Sequence, residues 1–235
     1  MIPKKLHYCW FGGKPLPAEA QRFLSGWKAF CPEYEIVRWD ERNAPLADNT
    51  YAAQARAAGK WAFVSDYVRL RALWEQGGVY LDTDVELLRP LDAFLDAPMF
   101  VGFESRERAA TCVIGAEPHH PLIGELLWEY ESLSFLREDG SPDYTTNVER
   151  MTALLRRHGL RPDGCYQRLA EVTVYPCAVF SPKSLADGKI RRTEETHAIH
   201  HFSASWMPLR NRVNTRIAQM LGPRLTRYIK KLLGR

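Results

Sequence analysis

Apolar and polar residues alternate along the chain with the periods of helices and strands. In residues 61–76 apolar side chains recur at positions i, i+4, i+7 and i+11, which predicts a helix with one buried face. Gly77 and Gly78 predict the end of this helix, because glycine tolerates the left-handed conformation in which helices often stop. Residues 79–81 are wholly apolar, which predicts a short buried strand leading directly into Asp82.

The same patterns predict further elements on both sides of this segment. Helices are predicted at 17–30, 49–58, 121–135 and 145–158. Strands are predicted at 6–11, 34–39, 99–103, 111–116, 172–175, 179–180 and 198–202. This alternation favours an α/β fold with a largely parallel sheet flanked by helices.

Composition narrows the class of protein. The 235 residues are 46% hydrophobic and 26% charged, so a packed core is possible and a mainly disordered chain is excluded. No apolar run reaches the roughly 18 residues that a membrane-spanning helix needs, and the first residues lack the pattern of a secretory signal. The five cysteines are scattered, as is typical of reduced thiols. We therefore expect a cytoplasmic protein.

Charge is distributed unevenly. Residues 1–195 carry 24 basic and 28 acidic side chains, a net charge of −4, whereas residues 196–235 carry eight basic residues and no acidic one. Apolar positions recur at helical spacing in residues 209–235, which predicts a basic amphipathic tail after a domain at 1–208. The tail either binds the anionic inner face of a membrane or packs on the domain. The acidic body argues against nucleic-acid binding.

Two carboxylates, Asp82 and Asp84, follow the predicted buried strand. Residues two apart on an extended chain point the same way, and ligands of open α/β sheets bind at the carboxyl ends of strands. Carboxylate oxygens favour Mg²⁺ or Mn²⁺, and the alternative is an acidic surface turn. A calcium loop and a haloacid-dehalogenase phosphatase fit poorly, because Leu87 and Glu86 stand where those patterns need Gly and Thr or Val.

Other residues are candidates to complete this site. Asp66 and Arg69 share one helix face, either as a surface ion pair or facing the two aspartates. His200 and His201 are adjacent, so at most one of them readily joins a given site from a strand. Trp10 beside a glycine turn is either a core residue or a platform that stacks on a planar base.

Together these segments resemble a known family. Residues 2–13, the block S-D-x-x-R…G-G-x-Y-x-D-x-D within residues 61–84, and residues 200–206 are similar to the glycosyltransferases with a D-x-D sugar-binding region (family 32). That group includes capsular-polysaccharide transferases and fungal outer-chain mannosyltransferases, and it is similar to the large glucosylating toxins. The resemblance spans about residues 2–206 and implies a Rossmann-like GT-A fold, with Mn²⁺ or Mg²⁺ and a nucleotide sugar as donor.

The resemblance also implies a role for individual residues on the nucleotide and metal side. Trp10 would stack on the uracil ring, Asp82 would contact the ribose and the metal shell, and Asp84 would ligate the metal. His201 resembles the histidine that completes the metal sphere in related transferases, and Trp206 would lie near the diphosphate. The remaining expected donor contacts are Tyr8 and Tyr80.

On the sugar side, the resemblance implies that Asp66 and Arg69 hold the donor sugar, and Asn147 resembles a sugar-side asparagine of the toxins. Some related transferases have Lys-Pro before the late tryptophan, whereas Ser205 precedes Trp206 here. We therefore take Arg69 as the candidate to neutralise the leaving phosphate. No protein nucleophile is evident, which favours front-face attack by the acceptor hydroxyl.

The expected function is retaining transfer of a hexose or N-acetylhexosamine from a UDP-sugar. The expected acceptor is a glycan or a lipid-linked saccharide in surface polysaccharide synthesis. The alternatives are a mannosyltransferase that uses GDP-mannose, a non-catalytic sugar-binding module, and a nucleic-acid-binding module that uses the basic tail.

Overall fold

The computed structural model describes residues 1–203 of the chain. The strands are β1 (Lys5–Cys9), β2 (Glu35–Trp39), β3 (Gly78–Leu81), β4 (Val85–Leu87), β5 (Met99–Ser105), β6 (Arg108–Ala116), β7 (Gln167–Arg168), β8 (Thr173–Tyr175) and β9 (Ala198–His200). The helices are α1 (Ala18–Phe30), α2 (Thr50–Ala57), α3 (Trp61–Gln76), α4 (Pro121–Ser132), α5 (Asn147–Arg157) and α6 (Cys177–Phe180).

A seven-stranded sheet in the order β2-β1-β3-β6-β5-β8-β7 forms the centre of the molecule. Strands β2, β1, β3, β5 and β8 run in one direction, and β6 and β7 run against them. A second, two-stranded sheet pairs β4 with β9. The prediction of a mixed, mostly parallel sheet flanked by helices is therefore confirmed.

Two hydrophobic clusters cover the two faces of the large sheet. One contains the buried faces of α2, α3, α4 and α5, and the other contains residues of α1, β4 and α6. Strand β3 is buried along its whole length between them. Since a central strand of such a sheet packs on both faces, its sequence is continuously apolar, as observed at positions 79–81.

Helix termini follow the local chemistry of the sequence. Helix α3 ends where predicted, and Gly77 and Gly78 have φ angles of 61° and 100°. A Cβ atom at Gly77 would lie 2.6 Å from the Pro118 ring, so both conformation and space require glycine there. Thr146 and Glu149 form a capping box that starts α5, which confirms the helix predicted in this region.

Several elements differ from the predictions, and strand β7 is one that was not predicted. Residues 179–180 belong to helix α6 rather than to a strand, because Pro176 stands before its first turn. Strand β4 was not predicted, since it has only three residues and Glu86 lies at its centre. Asp82 and Asp84 lie on a turn, not on extended chain: Val85 N–H donates to the Asp82 carbonyl at 2.9 Å.

None of the helices in residues 1–203 is long and apolar enough to cross a membrane. The predicted amphipathic tail at 209–235 and Trp206 lie outside the described residues. The division into a domain at 1–208 and a tail at 209–235 therefore stays a prediction.

Candidate active site

The turn after β3 holds the two aspartates in place through hydrogen bonds. Tyr80 Oη donates to Asp82 Oδ1 at 3.0 Å, and the Ser203 backbone N–H donates to Asp84 Oδ2 at 2.7 Å. The Asp82 backbone N–H also donates to the Cys112 carbonyl of β6 at 2.9 Å, which attaches the turn to the large sheet. The Asp82 carboxylate is thus oriented by a neighbouring residue of β3, and the Asp84 carboxylate by a residue distant in sequence.

The small β4–β9 sheet brings a histidine to this turn. Val85 pairs with His200 in the antiparallel register, directly beside Asp84. His200 Nε2 lies 3.3 Å from Asp84 Oδ1. One ligand atom each from Asp82, Asp84 and His200 can be chosen so that all three lie within 4.8 Å of one another.

The structure does not bring His201, the predicted metal ligand, to this group. Adjacent residues of a strand point to opposite sides, and β9 directs His200 to the aspartates. His201 Nε2 instead lies 2.8 Å from Glu86 Oε2, and its ring stacks on Phe23 at a centroid distance of 4.9 Å. The structure therefore places His200, and not His201, beside the two aspartates.

The charges of this group compensate one another. Burial alone would raise the pKa of Asp84, but the positive charge of His200 and the hydrogen bonds from His200 and Ser203 lower this pKa to about 2. Burial would likewise lower the pKa of His200, but interactions with Cys112 and Asp84 raise it well above its usual value. The carboxylate of Asp84 is therefore negatively charged at neutral pH.

The donor set fits a divalent cation. Two carboxylates and one imidazole on two short backbone segments offer oxygen and nitrogen ligands to one point. Carboxylates bind both Mg²⁺ and Mn²⁺, whereas imidazole favours transition-metal ions. A site with both kinds of ligand therefore suits Mn²⁺ better than Mg²⁺. Asp82, Asp84 and His200 are the residues that would hold the ion.

Asp66 and Arg69 lie beside the turn and are buried, with exposed fractions of 9% and 5%. Arg69 Nη2 donates to Asp66 Oδ1 at 2.8 Å, and Arg69 Nη1 lies 3.3 Å from Asp82 Oδ1. The alternative of a surface ion pair is thus excluded. A single guanidinium group of helix α3 therefore joins Asp66 to Asp82, the first aspartate of the D-x-D pair.

Arg69 has little capacity left for a further partner. Its Nη1 donates to the Thr111 carbonyl at 2.8 Å and its Nε to the Ser65 carbonyl at 3.3 Å. The guanidinium carbon also lies 4.5 Å from the centre of the Tyr80 ring. All three nitrogens therefore have protein partners, and this arrangement suits Arg69 to holding Asp66 and Asp82 rather than to neutralising a leaving phosphate.

Asn147, the first residue of α5, reaches the same region. Its Nδ2 donates to the Asp66 carbonyl at 3.3 Å. Burial raises the pKa of Asp66 to about 6, although the positive charge of Arg69 opposes this effect. The three predicted sugar-side residues, Asp66, Arg69 and Asn147, are thus brought together by helices α3 and α5.

The segment that contains most of these residues is similar to a family of known proteins. Residues 17–101 match the family model described as the glycosyltransferase sugar-binding region containing a DXD motif. The match contains Asp66, Arg69, Asp82 and Asp84. Over these residues the chain is similar to this family.

Individual relatives and a solved structure agree with this family. Human alpha-1,4-N-acetylglucosaminyltransferase is 32% identical over 86 residues, covering 36% of this chain and 24% of the relative. Inositol phosphoceramide mannosyltransferase 2 of Schizosaccharomyces pombe is 26% identical over 142 residues, covering 56% of this chain and 39% of the relative. The chain thus spans well under half the length of these curated relatives.

A glycosyltransferase involved in glycosylation of the major capsid of PBCV-1 shares the fold. Its crystal structure superposes with a TM-score of 0.51 and 11% sequence identity, covering 92% of this chain and 100% of that one. Glycosyltransferases of this shape have the GT-A fold, and the predicted fold class is confirmed.

Two further predicted donor contacts, Tyr8 and Trp10, lie near the end of β1. Trp10 is half-buried, and its Nε1 donates to the Lys14 carbonyl at 2.6 Å. Tyr8 is buried, with its ring edge-on to Trp27 at 5.9 Å. The structure therefore gives Tyr8 a core packing role, whereas the stacking role of Trp10 stays a prediction.

Sequence reasoning missed Glu104 as a residue of this site. Glu104 lies near the end of β5. Burial and the negative charge of Asp82 raise the pKa of its carboxyl group, and the positive charges of His200 and Arg108 oppose this increase. Glu104 follows the predicted strand at 99–103, so its position at a carboxyl end of the sheet was an available signal.

Proposed function

We propose that this chain is a retaining, Mn²⁺-dependent glycosyltransferase that moves a hexose or an N-acetylhexosamine from a UDP-sugar to a saccharide acceptor. The observation that carries the proposal is the convergence of Asp82, Asp84 and His200 within 4.8 Å, next to the buried Asp66–Arg69 pair. Cation ligands and a polar sugar-side group at one sheet edge match the needs of a nucleotide-sugar site.

The residues divide the work between the two ends of the donor. Asp82, Asp84 and His200 would hold the divalent cation, and Asp66 with Asn147 would orient the sugar ring. When bound, the cation supplies positive charge to the diphosphate as the sugar–phosphate bond breaks. Arg69 fixes the position of Asp66 relative to Asp82, because it contacts both residues.

Retention of configuration is proposed to follow from front-face attack. The acceptor hydroxyl approaches the anomeric carbon on the side of the leaving phosphate, whose oxygen takes the hydroxyl proton. Asp66 is already paired with Arg69, which makes it a poor nucleophile. Incubation with a donor and no acceptor, followed by mass spectrometry of the protein, tests this step: a glycosyl–enzyme adduct would contradict it.

The donor is the finer part of the proposal. One relative is named for the transfer of N-acetylglucosamine and another for the transfer of mannose. We therefore place UDP-N-acetylglucosamine, UDP-glucose, UDP-galactose and GDP-mannose in one panel, with nucleotide release as the readout at saturating Mn²⁺. Selective release from one UDP-sugar is expected, and selective release from GDP-mannose would assign the chain as a mannosyltransferase instead.

Matched variants distinguish nucleotide release by this protein from release by a contaminating enzyme. Asp84→Ala removes one predicted metal ligand and should abolish nucleotide release, whereas Asp139→Ala removes an exposed aspartate and should leave it unchanged. Equal activity in wild type and Asp84→Ala would refute the proposed site. No release from any donor, together with no Mn²⁺ binding in calorimetry, would favour the non-catalytic alternatives.

The acceptor and the cellular location are proposed from the sequence. A lipid-linked glycan acceptor in surface polysaccharide synthesis suits a cytoplasmic enzyme whose basic residues at 209–235 touch an anionic membrane. Flotation with vesicles containing anionic lipid tests this idea, with a chain ending at Pro208 as the comparison. If the shortened chain floats equally well, the membrane role of the tail is wrong.

A further inference from the structure

Buried polar atoms without a hydrogen-bond partner gather behind Asp66. Within residues 1–203 seven buried side-chain nitrogen or oxygen atoms lack a partner, and four of them belong to this region. They are Tyr51 Oη, Tyr130 Oη, Asn147 Oδ1 and Arg150 Nε. Since buried polar groups in native proteins are nearly always paired, a cluster of this kind indicates a shared role.

Four helices bring these groups together. Tyr51 comes from α2 and Tyr130 from α4, and both are fully buried. Their rings meet edge-on with centroids 4.8 Å apart. Arg150 of α5 lies over the Tyr130 ring, with its Cζ atom 5.6 Å from the ring centre, and its Nη2 contacts Asp143 at 3.0 Å.

The cluster is connected to Asp66 of α3. Asn147 Nδ2 donates to the Asp66 carbonyl, which leaves Asn147 Oδ1 as the unpartnered atom of that amide. Burial raises the pKa of Tyr51 and of Tyr130, and the negative charge of Asp66 raises both further. The charged groups that act on Asp66 are Arg69, Asp82 and Arg150.

Few direct contacts hold the Asp66 carboxyl group. Arg69 Nη2 donates to Oδ1, and a backbone hydrogen bond from Asn147 also favours the charged form. A carboxylate that must face a sugar hydroxyl needs support for its orientation beyond one ion pair. The polar atoms behind it offer two hydroxyl groups, one N–H donor and one amide acceptor, the mixture that ordered water can bridge.

We propose that Tyr51, Tyr130 and Arg150 are positioning residues that, with Asn147 and ordered water, form a polar network holding the Asp66 carboxylate toward the donor sugar. The inference rests on the proposed function, since the sugar is part of it. The network acts through Asp66 and does not touch the cation ligands, so donor binding and cation binding respond separately to its removal.

Phenylalanine substitutions test the network with little change of shape. In Tyr51→Phe and Tyr130→Phe we expect the donor KM to rise roughly 5- to 20-fold, with kcat within about threefold and the Mn²⁺ activation constant unchanged. Tyr34→Phe is the matched control, because Tyr34 Oη is also buried without a partner but lies in the other hydrophobic cluster. A donor KM within twofold of wild type in both test variants would overturn the proposal, as would an equal effect in Tyr34→Phe.

A second readout needs no donor at all. Carbon-13 NMR of labelled aspartates in the metal-free protein follows the titration of Asp66, which should move to higher pH in Tyr130→Phe because support for the ionised form is lost. An unchanged titration would overturn the network. If the titration moves while wild type releases no nucleotide from any donor, the network stands and the proposed function is wrong.

Discussion

The two halves of the candidate active site are built in different ways. Asp82, Asp84 and His200 stand on a turn and on strand ends, where backbone hydrogen bonds and the β4–β9 register set their positions. Asp66 and Asn147 stand on helices, where packing sets their positions. The predicted metal side therefore depends on a few backbone contacts between segments distant in sequence, whereas the predicted sugar side depends on the arrangement of the helical core.

The two halves also treat a buried carboxylate in opposite ways. At Asp84 the neighbouring His200 overcomes the effect of burial and holds the pKa at about 2. At Asp66 burial prevails over Arg69 and raises the pKa to about 6. A carboxylate kept ionised by a strong partner suits a cation ligand, and one near its titration point depends on its surroundings for charge and orientation.

The largest effect is expected at Asp84. Asp84→Asn keeps the shape of the side chain but removes the charge that a cation needs, so kcat/KM should fall at least roughly 1,000-fold, about 4 kcal/mol of transition-state stabilisation. Initial rates of nucleotide release over a range of donor concentrations, at saturating Mn²⁺, measure this loss. A fall below roughly tenfold would show that the metal side does not work through this carboxylate.

The next largest effect is expected at Arg69, which contacts a carboxylate of each half of the site. Arg69→Met removes the guanidinium that contacts both Asp66 and Asp82, and it leaves the buried Asp66 carboxylate and the partly exposed Asp82 carboxylate without this partner. The free energy of unfolding should fall by about 3 kcal/mol, because an uncompensated buried charge is costly. Urea unfolding measures it, with Arg71→Met of the partly exposed Arg71–Glu75 pair on the same helix as the control. Equal effects in the two variants would mean that Arg69 does not couple the halves.

The sequence predicted the positions of Asp66 and Arg69 better than those of His200 and His201. Helical periodicity placed Asp66 and Arg69 on one face, and helix α3 has the predicted boundaries. The choice between His200 and His201 depends on the β4–β9 pairing, and β4 is too short and polar to be visible in a hydrophobic pattern. Long-range register of this kind is set by tertiary packing, so local periodicity could limit the choice to one histidine without saying which.

Separate variants of His200 and His201 test which of the two histidines is the metal ligand. His200→Ala removes a ligand atom and should raise the Mn²⁺ activation constant roughly 100-fold, about 2.7 kcal/mol. His201→Ala removes a ring that pairs with Glu86 and stacks on Phe23, so it should lower thermal stability with little change in Mn²⁺ activation. Metal titrations of both variants decide between them, and the reverse pattern would restore His201 as the ligand.

The smallest expected effect is on the pH dependence of the free energy of unfolding, to which Asp66 and Asp84 contribute in opposite directions. Asp66 has a pKa of about 6 in the folded protein against about 3.8 unfolded, so between these values the folded state binds more protons. The free energy of unfolding should therefore decrease as pH rises from 4 to 6, by about 2 kcal/mol from this group alone.

Asp66→Asn should remove this decrease, which urea unfolding of the metal-free proteins at pH 4, 5 and 6 can measure. The exposed Asp139 has a lowered pKa, so Asp139→Asn should keep the wild-type dependence in that range. Asp84 contributes in the opposite sense and at lower pH, since its stabilisation is lost only as pH falls from about 3.8 toward 2. If Asp66→Asn and wild type lose stability in parallel between pH 4 and 6, Asp66 is as firmly ionised as Asp84. The contrast between a helix-built and a turn-built carboxylate would then not hold.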